Sequence, residues 1–189
     1  MLDVPTRRIT AFADRSFASP ADKAVRIAEA SPAARFVVRG RAAVPQTAAV
    51  ALGFPLATDV CRAALGGERV ALWLGPDEWL VIAPEHEAES LGAALASALA
   101  GVPHALVDVS HRNVGLTVSG PKASYILNHG CPLDLSLAAF PVGMCTRTIL
   151  AKAEVVLWRT AEDAFRLECW RSFGPYVADF LEEARTEFK

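Results

Sequence analysis

The sequence predicts an α+β fold, a two-layer arrangement in which an antiparallel-rich sheet is covered by helices. Three observations carry this expectation. Apolar runs of strand length recur along the chain, among them Val70–Leu74, Trp79–Ala83 and Phe165–Trp170. Neighbouring runs are joined by turn chemistry and not by long crossovers, as antiparallel hairpins require. Helical patterns follow hairpins instead of alternating one for one with strands, which is the α+β order and not the parallel α/β one. At 189 residues the chain has the length of one domain. That domain is expected over 35–189, preceded by an N-terminal arm over 1–34.

The arm is the least patterned part. Ser16, Ser19, Pro20, Ser31 and Pro32 interrupt its apolar periods. A short helix is expected at 20–30; the arm reads either as a loose N-terminus or as one that lies on a partner, with Phe12 and Phe17 as apolar anchors. Arg35-Phe-Val-Val-Arg39 reads as the first strand, ended by Gly40. Residues 41–66 mix helix-forming Ala and Leu with Pro45, Gly53 and Pro55 and read either way. In Gly75-Pro-Asp-Glu78, Pro presets the second position of a turn and Asp suits the third, so 70–83 reads as a β-hairpin. A helix is expected at 84–100, with Glu85, Glu87 and Glu89 near its positive end and Gly101 at its close. His104–Val109 and Asn113–Val118 are strand-like, the second with Val114, Leu116 and Val118 on one face. Ser119 as cap and Pro121 in the first turn open a helix that stops at Asn128-His-Gly130. A Pro-bearing loop over 131–143 leads to strands at 145–150, 154–159 and 165–170. The last helix, 174–188, carries Phe173, Val177, Phe180, Leu181, Ala184 and Phe188 as one apolar stripe. A strand–strand–helix order thus occurs twice, in 70–109 and in 154–188.

Composition excludes several classes. Hydrophobic residues are 52% and charged residues 21% of the chain, and the mean hydropathy is +0.27, which no disordered chain shows. Nineteen Lys+Arg against 21 Asp+Glu leave a net charge of −2, too weak a field to seek nucleic acid or an anionic membrane. No apolar stretch is long enough for a transmembrane helix. Met1 to Thr10 carries Asp3, Arg7 and Arg8 and no apolar run, so it is not read as a signal peptide. The expectation is a cytoplasmic protein with reduced thiols.

Tests for chemistry return little. No glycine-rich phosphate loop is present. Asp108, Ser110 and His111 lie within four positions, but a triad needs convergence from separate elements; a strand end with backbone-bonded Asp108 and Ser110 is the plainer reading. His86, His104, His111 and His129 form no i, i+4 pair, and Cys61, Cys131, Cys145 and Cys169 form no C-x-x-C. Trp73, Trp79, Trp158 and Trp170 read as core or interface packing, or as a flat stacking wall. Arg147, Arg159, Arg166 and Arg171 read as a solvated sheet face paired with Glu154, Glu162 and Glu168, or as an anion site. No catalytic, cofactor-binding or metal residue is assigned to this chain.

Longer strings carry a resemblance. Leu72-Trp-Leu-Gly-Pro-Asp-Glu-Trp-Leu80, Asp108-Val-Ser-His-Arg-Asn113, Ser119-Gly-Pro-Lys-Ala123 and Gly130-Cys-Pro-Leu-Asp-Leu-Ser136 resemble the gamma subunit of heterotetrameric sarcosine oxidase. So do Phe140-Pro-Val-Gly143, Cys145-Thr-Arg-Thr148 and Trp170-Arg-Ser172. The resemblance implies an αβγδ bacterial enzyme that oxidatively demethylates sarcosine to glycine, makes hydrogen peroxide and passes the one-carbon unit to tetrahydrofolate. It implies alpha, beta and delta subunits as partners, with NAD, FAD, FMN and the folate site on alpha and beta and zinc on delta. It gives this chain no cofactor of its own and a structural, non-catalytic part. It also implies a fold like the folate-binding domains of the glycine-cleavage T-protein, which leaves a stand-alone folate-binding protein of one-carbon metabolism as the alternative. The stretch where T-proteins offer Asn and an acidic folate ligand here reads Trp170-Arg-Ser-Phe-Gly-Pro175, a departure that speaks against folate binding by this chain.

Overall fold

The computed structural model describes residues 10–17, 24–41 and 43–188. In chain order the strands and helices are β1 (Arg26–Glu29), β2 (Ala33–Gly40), α1 (Val44–Leu52), β3 (Ala63–Gly66), β4 (Arg69–Gly75) and β5 (Glu78–Pro84). They continue with α2 (Ala88–Leu99), β6 (His104–Asp108), β7 (Asn113–Ser119), α3 (Ala123–Asn128), β8 (Cys145–Leu150), β9 (Ala153–Ala161), β10 (Ala164–Trp170) and α4 (Gly174–Arg185). Short 3₁₀ turns at Glu85–Glu87 and Arg171–Phe173 lead into α2 and α4, and a third, Thr186–Phe188, follows α4.

The fold is α+β, and the strands divide between two five-stranded sheets, in the orders β1-β7-β10-β9-β8 and β3-β4-β5-β2-β6. Every pairing is antiparallel. The expected helix-on-sheet layering therefore occurs twice. The outer face of the first sheet is covered by α3 and α4, with Val118, Leu157, Phe165, Ile126, Val177 and Leu181 in one apolar cluster. The outer face of the second is covered by α1 and α2, with Phe36, Val38, Val81, Ala48, Leu91 and Leu95 in another. The inner faces meet each other, where Val70, Leu72, Leu80 and Ile82 of the second sheet pack with Cys145 and Val156 of the first. Alternation along each strand makes this possible, because successive side chains point to opposite faces.

The hairpin expected at 75–78 is present: β4 and β5 pair from Gly75↔Glu78 outward, with a bulge between Trp73 and Gly75. The ambiguous stretch 41–66 resolves into α1 and β3. α1 has Pro45 in its first turn and ends at Gly53, whose φ of +86° suits glycine and whose N–H donates to the Ala49 carbonyl.

Four expectations need correcting. Residues 26–29 are strand β1 and not part of a helix at 20–30; they bond the open edge of β7, with Ile27 opposite Val118, and 18–23 lie outside the described residues. β2 begins at Ala33, so the boundary expected at 34/35 falls inside a strand. Phe12 does not wait for a partner: it is 2% exposed within the core under α4, with Phe17 edge-on at 5.6 Å. Ser119 does not cap α3 but ends β7, paired with both Arg26 and Ala164, and α3 starts at Ala123 without a side-chain cap.

Candidate functional site

The space between the sheets is where this chain departs from an ordinary apolar sandwich. Arg35 of β2 and Glu168 of β10 are 3% and 1% exposed and face each other across it. The Arg35 Nε donates to Glu168 Oε2 at 2.6 Å, Nη2 donates to Oε1 at 3.3 Å, and Nη1 donates to the Ala33 carbonyl at 3.0 Å. Arg166 Nε donates to the same carboxylate at 2.8 Å. Two guanidiniums around one carboxylate offset its desolvation, which an isolated buried charge could not survive. Gly115 on β7 leaves the room: a Cβ there would lie 2.8 Å from Glu168 Oε1 and 2.9 Å from the Ala30 Cβ.

Beyond this ion pair the sheets enclose a cavity of about 260 Å³. Its walls are mixed: Val37, Leu80, Val107, Val109 and Val156 supply the apolar part, and Arg39, Glu78, Arg147, Glu154 and Glu168 the charged part. A second charged row crosses it: Arg147 Nη2 donates to Glu78 Oε1 at 2.5 Å, Arg147 lies 3.7 Å from Glu154, and Arg39 lies 3.9 Å from Glu78. Arg112 and Trp170 stand at its mouth, the guanidinium 4.3 Å from the ring centroid.

The arginines expected on a solvated sheet face are thus distributed otherwise. Arg147 pairs with Glu154 at the exposed rim of the sheet, as expected, whereas Arg166 pairs with Glu168 on the part of that face covered by the second sheet. Arg159 is 4% exposed and donates to the carbonyls of Leu135, Phe140 and Glu162 while lying 4.7 Å from the Phe165 ring. It ties the 131–143 loop down, and burial lowers its pKa. The alternation of Arg166, Glu168 and Trp170 with Phe165, Leu167 and Cys169 was visible; nothing in one strand says that a second sheet lies on the polar side.

The Asp108–His111 cluster is a strand end. Ser110 N donates to Asp108 Oδ1 at 2.8 Å, and the Ser110 hydroxyl accepts from the Arg35 N–H at 2.9 Å, while His111 is exposed. The four histidines do not converge, and no group of three His, Cys, Asp or Glu able to hold a metal occurs among the described residues. All four cysteines are free thiols. Burial pushes the Cys145 and Cys169 thiols up to about 12, far from the thiolate that metal binding or nucleophilic attack needs. Trp79 is buried with its N–H on the Ala57 carbonyl at 2.7 Å. Trp73 and Trp158 pack between or beside the sheets, and Trp170 is 42% exposed. No helix among the described residues is long and apolar enough to cross a membrane.

The sequence pattern of the sarcosine oxidase gamma subunit family matches residues 39–187, both sheets and all four helices from Arg39 onward. The chain belongs to the sarcosine oxidase gamma subunit family. It is 38% identical over 185 residues to the sarcosine oxidase subunit gamma of an Arthrobacter species, covering 90% of each chain. To the subunit gamma of Corynebacterium sp. strain P-1 it is 39% identical over 140 residues, 74% of this chain and 68% of the other. The same fold is found in the heterotetrameric sarcosine oxidase of Corynebacterium sp. U-96, with a TM-score of 0.87, 30% identity and 96% of both chains covered. Aminomethyltransferase T of the Bartonella henselae glycine cleavage system shares the fold, with a TM-score of 0.67 at 15% identity over 85% of this chain and 46% of that one. The pair of sheets in this chain thus has the same fold as about half of that aminomethyltransferase chain.

Proposed function

We propose that this chain is the gamma subunit of a heterotetrameric sarcosine oxidase and that its part is assembly, not catalysis. The observation that carries the reading is the end-to-end likeness to a chain of such an enzyme, over 96% of both chains. The geometry supports the structural role. The charged groups between the sheets are matched to one another, Arg35 and Arg166 to Glu168 and Arg147 to Glu78, and so are already committed. The sequence carries no glycine-rich phosphate loop for a flavin or nicotinamide, and burial raises the Cys145 and Cys169 thiols to about 12, away from the thiolate a zinc ligand needs.

In this reading alpha, beta and delta subunits hold the flavins, NAD, zinc and folate. The assembled cytoplasmic enzyme converts sarcosine to glycine with hydrogen peroxide and a one-carbon unit for tetrahydrofolate. This chain covers edges of the larger subunits and fixes their positions. Co-expression with and without the chain tests it. Omission is expected to lower the yield or thermal stability of the complex, while the isolated chain shows no flavin absorbance and makes no peroxide from sarcosine. A complex that forms with full yield, stability and turnover without the chain overturns it. The T-protein-like fold favours one other reading, a stand-alone folate-binding protein. Calorimetric titration of the isolated chain with tetrahydrofolate decides between them, since only that second reading expects saturable heat.

A further inference from the structure

The two hairpin–helix units end differently, and the β9–β10–α4 unit does so at the mouth of the inter-sheet cavity, where Trp170 lines it. Where β5 runs through its 3₁₀ turn into α2, the side chains facing water are Glu85, His86, Glu89 and Ser90. At the matching place after β10, Trp170, Phe173 and Tyr176 are 42%, 37% and 39% exposed. Trp170 and Phe173 stack at a tilt with centroids 6.1 Å apart. Val107, 52% exposed on the edge strand β6, lines the same cavity as Trp170. Arg112 covers one face of Trp170, and no carboxylate pairs with it among the described residues.

We propose that this end of the sandwich, Trp170 and Phe173 with Arg112 and Val107, is the anchor by which the chain docks on another subunit of the oxidase. The segment received is one that places an apolar side chain in the mouth of the cavity and an Asp or Glu on Arg112. The inference rests on the reading of the chain as a subunit. Trp, Tyr and Arg are the residues in which binding energy concentrates at interfaces, and here two exposed aromatic rings and an arginine lie together beside a cavity. The cavity supplies a concave seat beside them. The charge argument fixes the chemistry of the occupant: a guanidinium already resting on an indole gains most from a carboxylate approaching its open side, and a basic or purely apolar segment would leave it unpaired on burial. A second copy of this chain fits less well, because the same patch on a twofold mate would bring Arg112 towards Arg112.

The test uses the complete chain and the other oxidase subunits from the same source, co-expressed and then measured for affinity by titrating the purified chain into a complex prepared without it. Trp170→Ala and Arg112→Glu are each expected to weaken association at least ~10-fold, as hot-spot positions do. Arg112→Ala is expected to weaken it less than Arg112→Glu and to flatten its dependence on salt. Val50→Ser, at an exposed position on α1, is expected to change affinity less than ~2-fold. Circular dichroism melts of each variant establish that the fold is kept, and Phe173→Ser serves in place of Trp170→Ala if the latter melts early. Wild-type association with undiminished binding of the variants overturns the inference alone. Failure of the wild-type chain to associate overturns the subunit reading and the inference together. A concentration-dependent dimer of the isolated chain that Trp170→Ala abolishes, with unaltered binding to the other subunits, assigns the patch to self-association and overturns the proposal.

Discussion

The units β4–β5–α2 and β9–β10–α4 are built alike and differ in what they turn towards each other. Each is a hairpin, a 3₁₀ turn of three residues and a helix of twelve. The buried stripe of α2 is Leu91, Leu95 and Leu99, and α4 places Val177, Leu181 and Arg185 at the same steps. The contrast lies on the inner strand. β5 presents Leu80 and Ile82 to the space between the sheets, while β10 presents Arg166 and Glu168 at the corresponding positions, two and four residues before the strand's last residue. One repeat closes the sandwich by hydrophobic burial and the other by an ion pair with Arg35. The lesson is that a repeated frame tolerates opposite inner chemistry if the facing strand supplies the counter-charge and a glycine, here Gly115, supplies the room.

Breaking the polar side should have the largest effect. Glu168→Ala leaves the Arg35 guanidinium buried without its carboxylate, which costs about 3–5 kcal/mol; urea unfolding of the isolated chain measures it. The triple change Arg35→Met with Arg166→Leu and Glu168→Leu makes the second unit resemble the first. It is expected to recover most of that loss, since a well-packed apolar pair can equal a buried ion pair. No recovery would mean that the charges specify the sheet-to-sheet register and do not merely fill the space.

The outer faces should respond equally. Leu95→Ala under α2 and Leu181→Ala under α4 are each expected to lose about 2–5 kcal/mol, because both side chains are fully buried. Phe180, half-buried against Gly130, should cost less than Leu181 when cut to Ala, although both lie on the stripe legible in the sequence. A larger loss at Phe180 would show that the α3–α4 contact, and not the sheet, holds that helix.

A smaller effect sharpens the seam where the sheets touch at their edges. Cys145 N donates to the Cys61 carbonyl at 2.9 Å, and Arg62 bridges to Met144. With Cys145 and Cys169 pushed up to about 12 by burial and Cys61 only half-buried, iodoacetamide at neutral pH is expected to label Cys61 first. Peptide mass spectrometry reads the order. Early labelling of Cys145 would show that the seam opens in the native state.

The smallest expected effect separates the ends of α2 and α4. After α4, Glu187 accepts from His129 at 3.2 Å, and this hydrogen bond, with lesser help from the Tyr125 carbonyl, raises the His129 pKa above its ordinary 6.5. A raised pKa means the folded state holds the proton more tightly. The contribution is therefore complete below about pH 6.5 and is lost as pH climbs through the folded value. Glu187→Gln should flatten the pH dependence of the melting temperature above that point, by a modest amount because the pair is partly exposed.

Much of this architecture was legible. The Gly75–Glu78 turn, the stripe of the last helix and the period-2 alternation of β7 depend on neighbours within a few residues, and they appear where local chemistry places them. β1 was not legible, since Arg26–Glu29 has a strand's identity only beside β7. Asp108 and Ser110 both bond backbone as expected, Asp108 through a local Asx turn and Ser110 through Arg35, a partner 75 residues away that only the fold supplies.

By itself the sequence determined which residues alternate: Arg35 and Arg39 against Phe36 and Val38, Arg166 and Glu168 against Phe165 and Leu167. Only the tertiary structure decided that Arg35, Arg166 and Glu168 face another sheet and not water, while Arg39, on the same side of β2 as Arg35, stays exposed. Period 2 reports that two faces differ, and both a solvent face and a satisfied ion-pair face are written in Arg and Glu. The distinction lies in a partner 133 residues away in sequence, and in the 1% exposure that its approach leaves to Glu168.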